Sequence, residues 1–371
     1  MSMTPDDARK KIEAYFTAVS RLKASDLHIK TDRPAAVRID SQLRLLDEPP
    51  LDNETILAMA LSLLDEEQAD AFHHTGNLDI AYQVPDGDRF RINLFRQRGE
   101  PGLAARRVSC DIPDFNTLHL PESLGEILVQ HQGLVLLAGP TGSGKSTTIA
   151  SMLNHINATR RCHILTLEDP IEYVYSDQKA FVNQREIGID TPDFPSALRA
   201  MLREDPDVVL LGEMRDPETF EAALQAAETG HLVFGTIHAS TAPQTISRIT
   251  ELFPIERRNQ ILQTLAFTLQ AIVCQKLLPS CKEGVSRVPS VEIMRNNSVV
   301  CDLIAQGREA DLPTVIRSSE LDGMLSFNSS LMKLIETDMI DPKTAYAVSP
   351  NADELKMLMK GITTSTGGLI G

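Results

Sequence analysis

Residues 133–147 read Gly133-Leu-Val-Leu-Leu-Ala138-Gly139-Pro140-Thr141-Gly142-Ser143-Gly144-Lys145-Ser146-Thr147. The apolar run 133–138 predicts a buried parallel strand, and the chain from Thr147 onward is compatible with a helix. Between them stands a complete G-x-x-x-x-G-K-[ST]. A strand before it and a helix after it are the context that separates a phosphate-binding loop from a Gly-rich turn with a solvated lysine. Glycines at 139, 142 and 144 let the backbone curl so that successive N–H groups point inward, and the helix N-terminus adds partial positive charge. In such a loop Lys145 reaches the β- and γ-phosphates and the Ser146 hydroxyl completes a Mg²⁺ shell. Residues 139–147 are therefore expected to bind a nucleoside triphosphate with Mg²⁺.

Composition bounds the rest. A chain of 371 residues is too long for one typical core, which predicts two domains. Cysteines at 110, 162, 274, 281 and 301 include no C-x-x-C pair, as expected of reduced thiols rather than a disulfide framework or a zinc site. The formal net charge of −15 disfavours a duplex-DNA motor, although a local basic channel is compatible with an acidic total. No stretch approaches the length of a membrane span, and the N-terminus, with Asp6 and Asp7, lacks the apolar core of a signal peptide.

Three regions separate along the chain. Helical spacing of Ala8, Ile12, Tyr15, Phe16, Val19 and Leu22 predicts a helix over 7–23. Strands are expected at 27–30, 36–40, 42–46, 77–83 and 89–96, with one helix over 53–71. Asp86-Gly87 is a hairpin signal. These elements make an α+β module over 1–110. A break at Cys110-Asp-Ile-Pro113 and Leu120-Pro121 marks a linker over 111–120. Strands at 133–138, 162–167, 179–183, 206–212 and 231–238 then alternate with helices, the signature of a mainly parallel α/β sheet. Beyond Pro279 the chain reads as largely helical to about 360, so the second domain is set at 121–361, and residues 362–371 read as a frayed tail.

Three clusters end strands of that sheet, where open α/β folds bind ligands. His163-Ile-Leu-Thr-Leu-Glu168-Asp169-Pro-Ile-Glu172 delivers carboxylates suited to an outer metal shell or to orienting water; its bland alternative is a strand-ending turn at Asp169-Pro170. Asp207-Val-Val-Leu-Leu-Gly212-Glu213 has the pattern of a Walker B strand, with Glu213 the candidate to orient or deprotonate attacking water. Arg215 and Asp216 beside it read as a local ion pair. In His231-Leu-Val-Phe-Gly-Thr236-Ile-His238, His238 is placed to sense a γ-phosphate and His231 reads as structural. The earlier module adds six arginines in 19 residues, at 89, 91, 96, 98, 106 and 107. Such a cationic face suits either an arginine finger or a solvated strand surface.

Taken in order, Gly139–Ser146, Glu168-Asp169-Pro170-Ile-Glu172, Gly212-Glu213-Met-Arg-Asp216 and Thr229-Gly-His231…Thr236-Ile-His238 resemble the PilT-type twitching-motility ATPases of type IV pili, within the secretion-ATPase superfamily. Ala24-Ser-Asp-Leu-His28 and Arg89-Phe-Arg-Ile-Asn93 join the resemblance, which covers roughly 8–360. It implies a PAS-like N-terminal domain and a RecA-like P-loop ATPase domain with a helical C-terminal part. It also implies a homo-hexameric, cytoplasmic ring, peripheral at the inner membrane, acting on a pilus platform protein. No nucleic-acid partner or membrane insertion is expected. Under this resemblance Lys145 and Ser146 bind phosphate and Mg²⁺, Glu168 lies in the Asp box, Glu213 is the catalytic glutamate, and His231 and His238 form the His box. Arg91, Arg96 and Arg106 match the region whose basic residues approach a neighbouring nucleotide.

One departure concerns the C-terminal part. PilT-type proteins carry Ala-Ile-Arg-Asn-Leu-Ile-Arg-Glu where this chain has Val299-Val-Cys301-Asp-Leu-Ile-Ala305-Gln306, without either arginine. The stretch Asn351-Ala-Asp-Glu-Leu-Lys-Met-Leu-Met359 resembles PilU, the accessory retraction ATPase, which works with a second retraction ATPase. The absence of a four-cysteine zinc motif separates the chain from the extension ATPases. Pilus retraction, an accessory share in it, and a related type II/IV secretion role are the three functions the resemblance leaves open.

Overall fold

A strand that is apolar on both faces needs cover on both, and that requirement organises most of this chain. The structure is a computed structural model and describes residues 3–39, 42–85 and 87–361. Contacts divide it into two units, Met1–Asp111 with Ile171–Val174, and Ile112–Pro170 with Tyr175–Gly371. The frayed tail expected at 362–371, and Asp86 of the expected hairpin turn, lie outside the described residues.

In the first unit α1 (Pro5–Arg21) leads into β1 (Asp26–Lys30), β2 (Ala36–Ile39) and β3 (Gln42–Leu45). Then follow α2 (Asn53–Ser62), α3 (Glu66–Thr75), β4 (Asn77–Gln83), β5 (Arg89–Gln97) and β6 (Glu100–Val108). The strands form one antiparallel sheet in the order β3-β2-β1-β6-β5-β4. Thr4 caps α1 by accepting the Asp7 N–H, and Pro5 opens the helix where a missing N–H costs nothing. The helix buries Ala8, Ile12, Tyr15, Phe16 and Val19 in a core shared with Phe90, Ile92 and Leu94 of β5. Phe16 stacks on Phe90 at 4.4 Å. A side chain of that size, fully buried, contributes ~1.5–3 kcal/mol.

Two elements differ from the sequence reading. The single helix expected over 53–71 is two, because Asp65 and Gln68 form a reciprocal capping box that starts a new helix. β6 has no counterpart among the expected strands. Its Gly102, Ala104 and Ala105 carry little strand propensity, and pairing with β1 on one side and β5 on the other holds it extended.

The second unit runs α4 (Leu124–Ile127), β7 (Gly133–Ala138), α5 (Lys145–Thr159), β8 (His163–Glu168), β9 (Phe181–Glu186), α6 (Phe194–Met201) and β10 (Val208–Leu211). It continues through α7 (Pro217–Glu228), β11 (Leu232–Ile237), α8 (Ala242–Glu251), α9 (Ile255–Thr268), β12 (Leu269–Pro279) and β13 (Arg287–Arg295). The sheet order is β13-β12-β7-β11-β10-β8-β9, parallel throughout except at β12–β13. Alternation along β7 sends Leu134, Leu136 and Ala138 to one face, with Phe220 of α7 and Ile246 of α8. Val135 and Leu137 go to the other, with Ile149, Met152 and Leu153 of α5.

The chain beyond Pro279 is not simply helical, because β13 pairs along its whole length with β12. Residues 269–279 form a long, mostly apolar run, which hydrophobic period alone does not assign to strand or helix. Pro289 argues against a central strand, and β13 accommodates it as the sheet's edge. After the hairpin come α10 (Ser298–Ala305), α11 (Leu312–Ser318), α12 (Phe327–Glu336), α13 (Pro342–Val348) and α14 (Ala352–Met359). Leu331, Leu334 and Leu355 join Leu278 and Val288 of the hairpin in a small separate core. No described helix is long and apolar enough to cross a membrane.

Candidate functional site

Residues 139–144 connect the end of β7 to the start of α5, and both termini of this loop are crowded by β12. A Cβ on Gly139 would lie 2.6 Å from the backbone oxygen of Gln275, and one on Gly144 would lie 2.9 Å from the Gln275 side-chain nitrogen. Gly144 also holds φ +86° as the residue that caps α5, a conformation L side chains rarely adopt. Glycine is thus required at 139 by a backbone neighbour and at 144 by the positive φ. Pro140, Thr141 and Gly142 form the exposed tip, Ser143 is buried, and Lys145, Ser146 and Thr147 are half-buried on the first turn of α5. The Lys145 ammonium donates to the carbonyls of Gly139 at 2.8 Å and Pro140 at 3.2 Å.

Parallel pairing in the order β7-β11-β10-β8 brings the carboxyl ends of four neighbouring strands to one end of the sheet. From them emerge the loop, His238, Glu213 and Glu168. Glu168 closes β8 and is 8% exposed; it accepts the Thr166 hydroxyl at 2.7 Å and the Gln184 amide at 3.3 Å. Glu213 lies two residues past β10. Gly212 anchors the turn, its N–H donating to Leu167 at 2.8 Å and its carbonyl accepting the Thr236 hydroxyl at 2.6 Å. The Glu213 carboxylate contacts the Arg215 guanidinium through one oxygen and His238 Nε2 at 3.0 Å through the other. The Arg215 hydrogen bond holds the Glu213 carboxyl below its ordinary range against the opposing effect of partial burial, and His238 adds to the lowering. This cluster places an ionised carboxylate and an imidazole at the same end of the sheet as the loop 139–144, groups that can orient water and respond to an anion's charge.

His231 is not part of that gathering. It precedes β11 at the amino end of the strand, about 23 Å along it from His238 at ~3.3 Å per residue. Its Nδ1 donates to the Ala226 carbonyl at 2.9 Å, tying the end of α7 to the start of β11.

The arginines belong to the first unit. Strand register sets Arg91 directly across from Arg106, like charges whose repulsion needs an acid nearby. Asp26 supplies it, contacting Arg106 at 2.9 Å and Arg38 at 3.6 Å. Burial opposes ionisation of Asp26, yet hydrogen bonds from Ser25 and Arg106 keep its carboxyl below the usual range. Arg107 pairs with Asp88 at 3.1 Å, and Arg96 lies over the Phe72 ring at 5.7 Å. Arg91 is exposed and has no ion pair among the described residues. Gln275, buried beneath the loop, is absent from the sequence reading. Its signal is a lone amide inside the apolar run Ala271-Ile-Val-Cys-Gln275-Lys-Leu-Leu.

A family model described as "Type II/IV secretion system protein" matches residues 6–365. Over 322 residues the chain is 39% identical to the type IV pilus retraction ATPase PilT of Pseudomonas aeruginosa, covering 87% of this chain and 93% of that protein. It is 35% identical over 336 residues to the type IV pilus ATPase PilU of the same organism, covering 91% and 88%. A crystal structure of the pilus retraction motor PilT with bound ADP superposes with a TM-score of 0.84 at 44% identity, covering 93% of this chain and 98% of that one.

Proposed function

This chain belongs to the type II/IV secretion system protein family and is one of its ATPases, and from that premise we propose that it converts ATP hydrolysis into retraction of a type IV pilus. The observation that carries the reading is the meeting of the phosphate loop, Glu168, Glu213 and His238 at the carboxyl ends of four adjacent parallel strands. ATP phosphates lie along Gly139, Pro140, Thr141, Gly142, Ser143, Gly144, Lys145, Ser146 and Thr147, with Lys145 leaving the loop carbonyls for the β- and γ-phosphates. Glu213 orients the attacking water and His238, hydrogen-bonded to it, relays the presence of the γ-phosphate. His231 anchors α7 in support of the site.

The donor set suits Mg²⁺, which prefers a hydroxyl and carboxylate oxygens and keeps several waters. Among the described residues no cluster of three His, Cys, Asp or Glu forms an all-protein cage, in keeping with a cation held mainly by phosphates. Ser146 would bind it and Glu168 would steady its outer shell, where it would supply neutralisation of phosphate charge.

The assembly proposed is a homo-hexamer at the cytoplasmic face of the inner membrane, acting on a pilus platform protein. Residues 1–110 are its PAS-like domain, 111–120 a linker, and 121–361 its RecA-like domain with a helical C-terminal extension. One of Arg91, Arg96 and Arg106 completes the site of a neighbouring subunit. Arg91, exposed and without an ion pair among the described residues, is the best suited, since Arg106 is already held by Asp26. Phosphate release by purified protein tests the hydrolytic claim. Wild type should hydrolyse ATP and Lys145→Ala should lose triphosphate binding; equal activity in both removes the loop from the mechanism.

A second reading, an accessory motor working beside another retraction ATPase, is favoured by α10. Cys301 and Ala305 stand where PilT-type proteins have arginines, and both pack against the core instead of offering charged donors. Arg295 is engaged by Glu126 at 2.5 Å and the Asp322 carbonyl at 3.1 Å, and Arg308 by Asp311 at 2.7 Å. Expressed as the sole retraction ATPase of a pilus-bearing host, the chain should then retract weakly; full-force shortening excludes the accessory role.

A further inference from the structure

We propose that Gln275 is a positioning residue for the phosphate loop, its side-chain amide fastening Ser143 to Thr148 so that the loop N–H groups keep their aim. The inference rests on reading residues 139–147 as the ATP site. β12 runs parallel to β7 with Cys274 opposite Ala138, so Gln275 comes level with the first residue of the loop. Alternation along β12 turns Gln275 toward the loop, while Lys276 turns away to the Val348 carbonyl at 2.8 Å and the Phe327 ring at 4.6 Å.

Gln275 is 3% exposed and both ends of its amide are engaged by the loop–helix junction. Nε2 donates to the Ser143 carbonyl at 2.7 Å, and Oε1 accepts the Thr148 hydroxyl at 2.8 Å. The direction of the amide follows from chemistry: a carbonyl only accepts, so the nitrogen must face Ser143, and the oxygen is left to the hydroxyl. The Ser143 carbonyl belongs to the peptide plane that carries the Gly144 N–H. Holding it therefore sets the direction of an N–H at the centre of the curl. The anchor on Thr148 ties that plane to the first turn of α5, which carries Lys145 and Ser146. None of these contacts is visible in the motif itself, because the residue that makes them lies more than a hundred positions away.

The test uses the full chain and ATP itself. Gln275→Met keeps the length and removes both polar partners. The loop holds phosphate alike in ground and transition states, so KM for ATP should rise about tenfold with kcat within about threefold. Gln275→Glu discriminates positioning from simple packing. Ionised, it has no donor for Ser143; protonated, it has the donor–acceptor pattern of glutamine. Its KM should match that of Gln275→Met at about pH 8.5 and approach wild type at about pH 6, since burial favours the protonated acid. Thr148→Val breaks one of the two bonds, should raise KM about threefold, and decides the matter if neither Gln275 variant folds. Unchanged KM in Gln275→Met and Thr148→Val, or a KM ratio of Gln275→Glu to wild type that does not vary with pH, overturns the proposal. Absence of ATP hydrolysis by wild type overturns the reading of the site instead.

Discussion

Strands β8 and β10 are neighbours, paired in register from Ile164 and Val208 to Leu167 and Leu211, and each delivers a glutamate at the same end of the sheet. The two carboxylates meet different surroundings. Glu168 is the last residue of its strand, buried, and accepts from Thr166 on its own strand and Gln184 on the next. Glu213 lies past the end of its strand, partly exposed, between a guanidinium and an imidazole. A carboxylate inside the strand is held by the sheet, whereas one beyond it is free to be aimed by the groups that face it. A strand that ends in an acid therefore specifies a location, and the neighbours decide the task.

The largest expected effect breaks the comparison at Glu213. Glu213→Gln keeps shape and removes the charge, so turnover should fall about 10²- to 10⁴-fold while ATP affinity stays near wild type. Steady-state rates and equilibrium binding measured on one preparation would show it, and wild-type turnover would remove Glu213 from the role proposed. Glu168→Gln should cost less, about tenfold in activity, as expected for an outer-shell metal group, and the loss should shrink as Mg²⁺ is raised. If Glu168→Gln proves the more damaging of the two, the assignments are reversed.

The smallest effect sharpens the electrostatic half of the contrast. Arg215 depresses the Glu213 carboxyl, so the ionised form is present above the ordinary carboxylate range and is lost as pH falls through the lowered value. Arg215→Ala lets that value rise, and the acid limb of the rate profile should move to higher pH. Because Arg215 is exposed, the displacement should stay under about one pH unit and the rate at neutral pH within about threefold. A pH–rate profile that does not move leaves Arg215 a surface pair without influence on Glu213.

Legibility differed between elements for identifiable reasons. β7, β8, β10 and β11 announce themselves as short apolar runs bounded by glycine, proline or charge, because a strand covered on both faces must be apolar at every position. A mostly apolar character hides β12, since a longer run of this kind suits a buried helix equally well, and Pro289 then conceals its partner β13. In the first unit the division between α2 and α3 is written in Asp65 and Gln68, yet the apolar positions on either side suggest one continuous helix. β6 shows little in its own residues, because pairing on both sides is what extends it.

By itself the sequence determined the glycine-containing loop between β7 and α5, the alternating α/β plan around it, and the acids at the ends of β8 and β10. These depend on local stereochemistry: glycine's backbone freedom, the period of buried strands, and a helix beginning directly after the loop. Tertiary structure decided which of the marked residues meet. It joined His238 to Glu213 and left His231 at the far end of β11, because a seven-residue spacing along a strand separates two side chains by the strand's whole length. It occupied Arg106 with Asp26 through the register of β1 against β6. It brought Gln275 beneath the loop because parallel pairing of β12 with β7 joins segments whose separation along the chain carries no local signal.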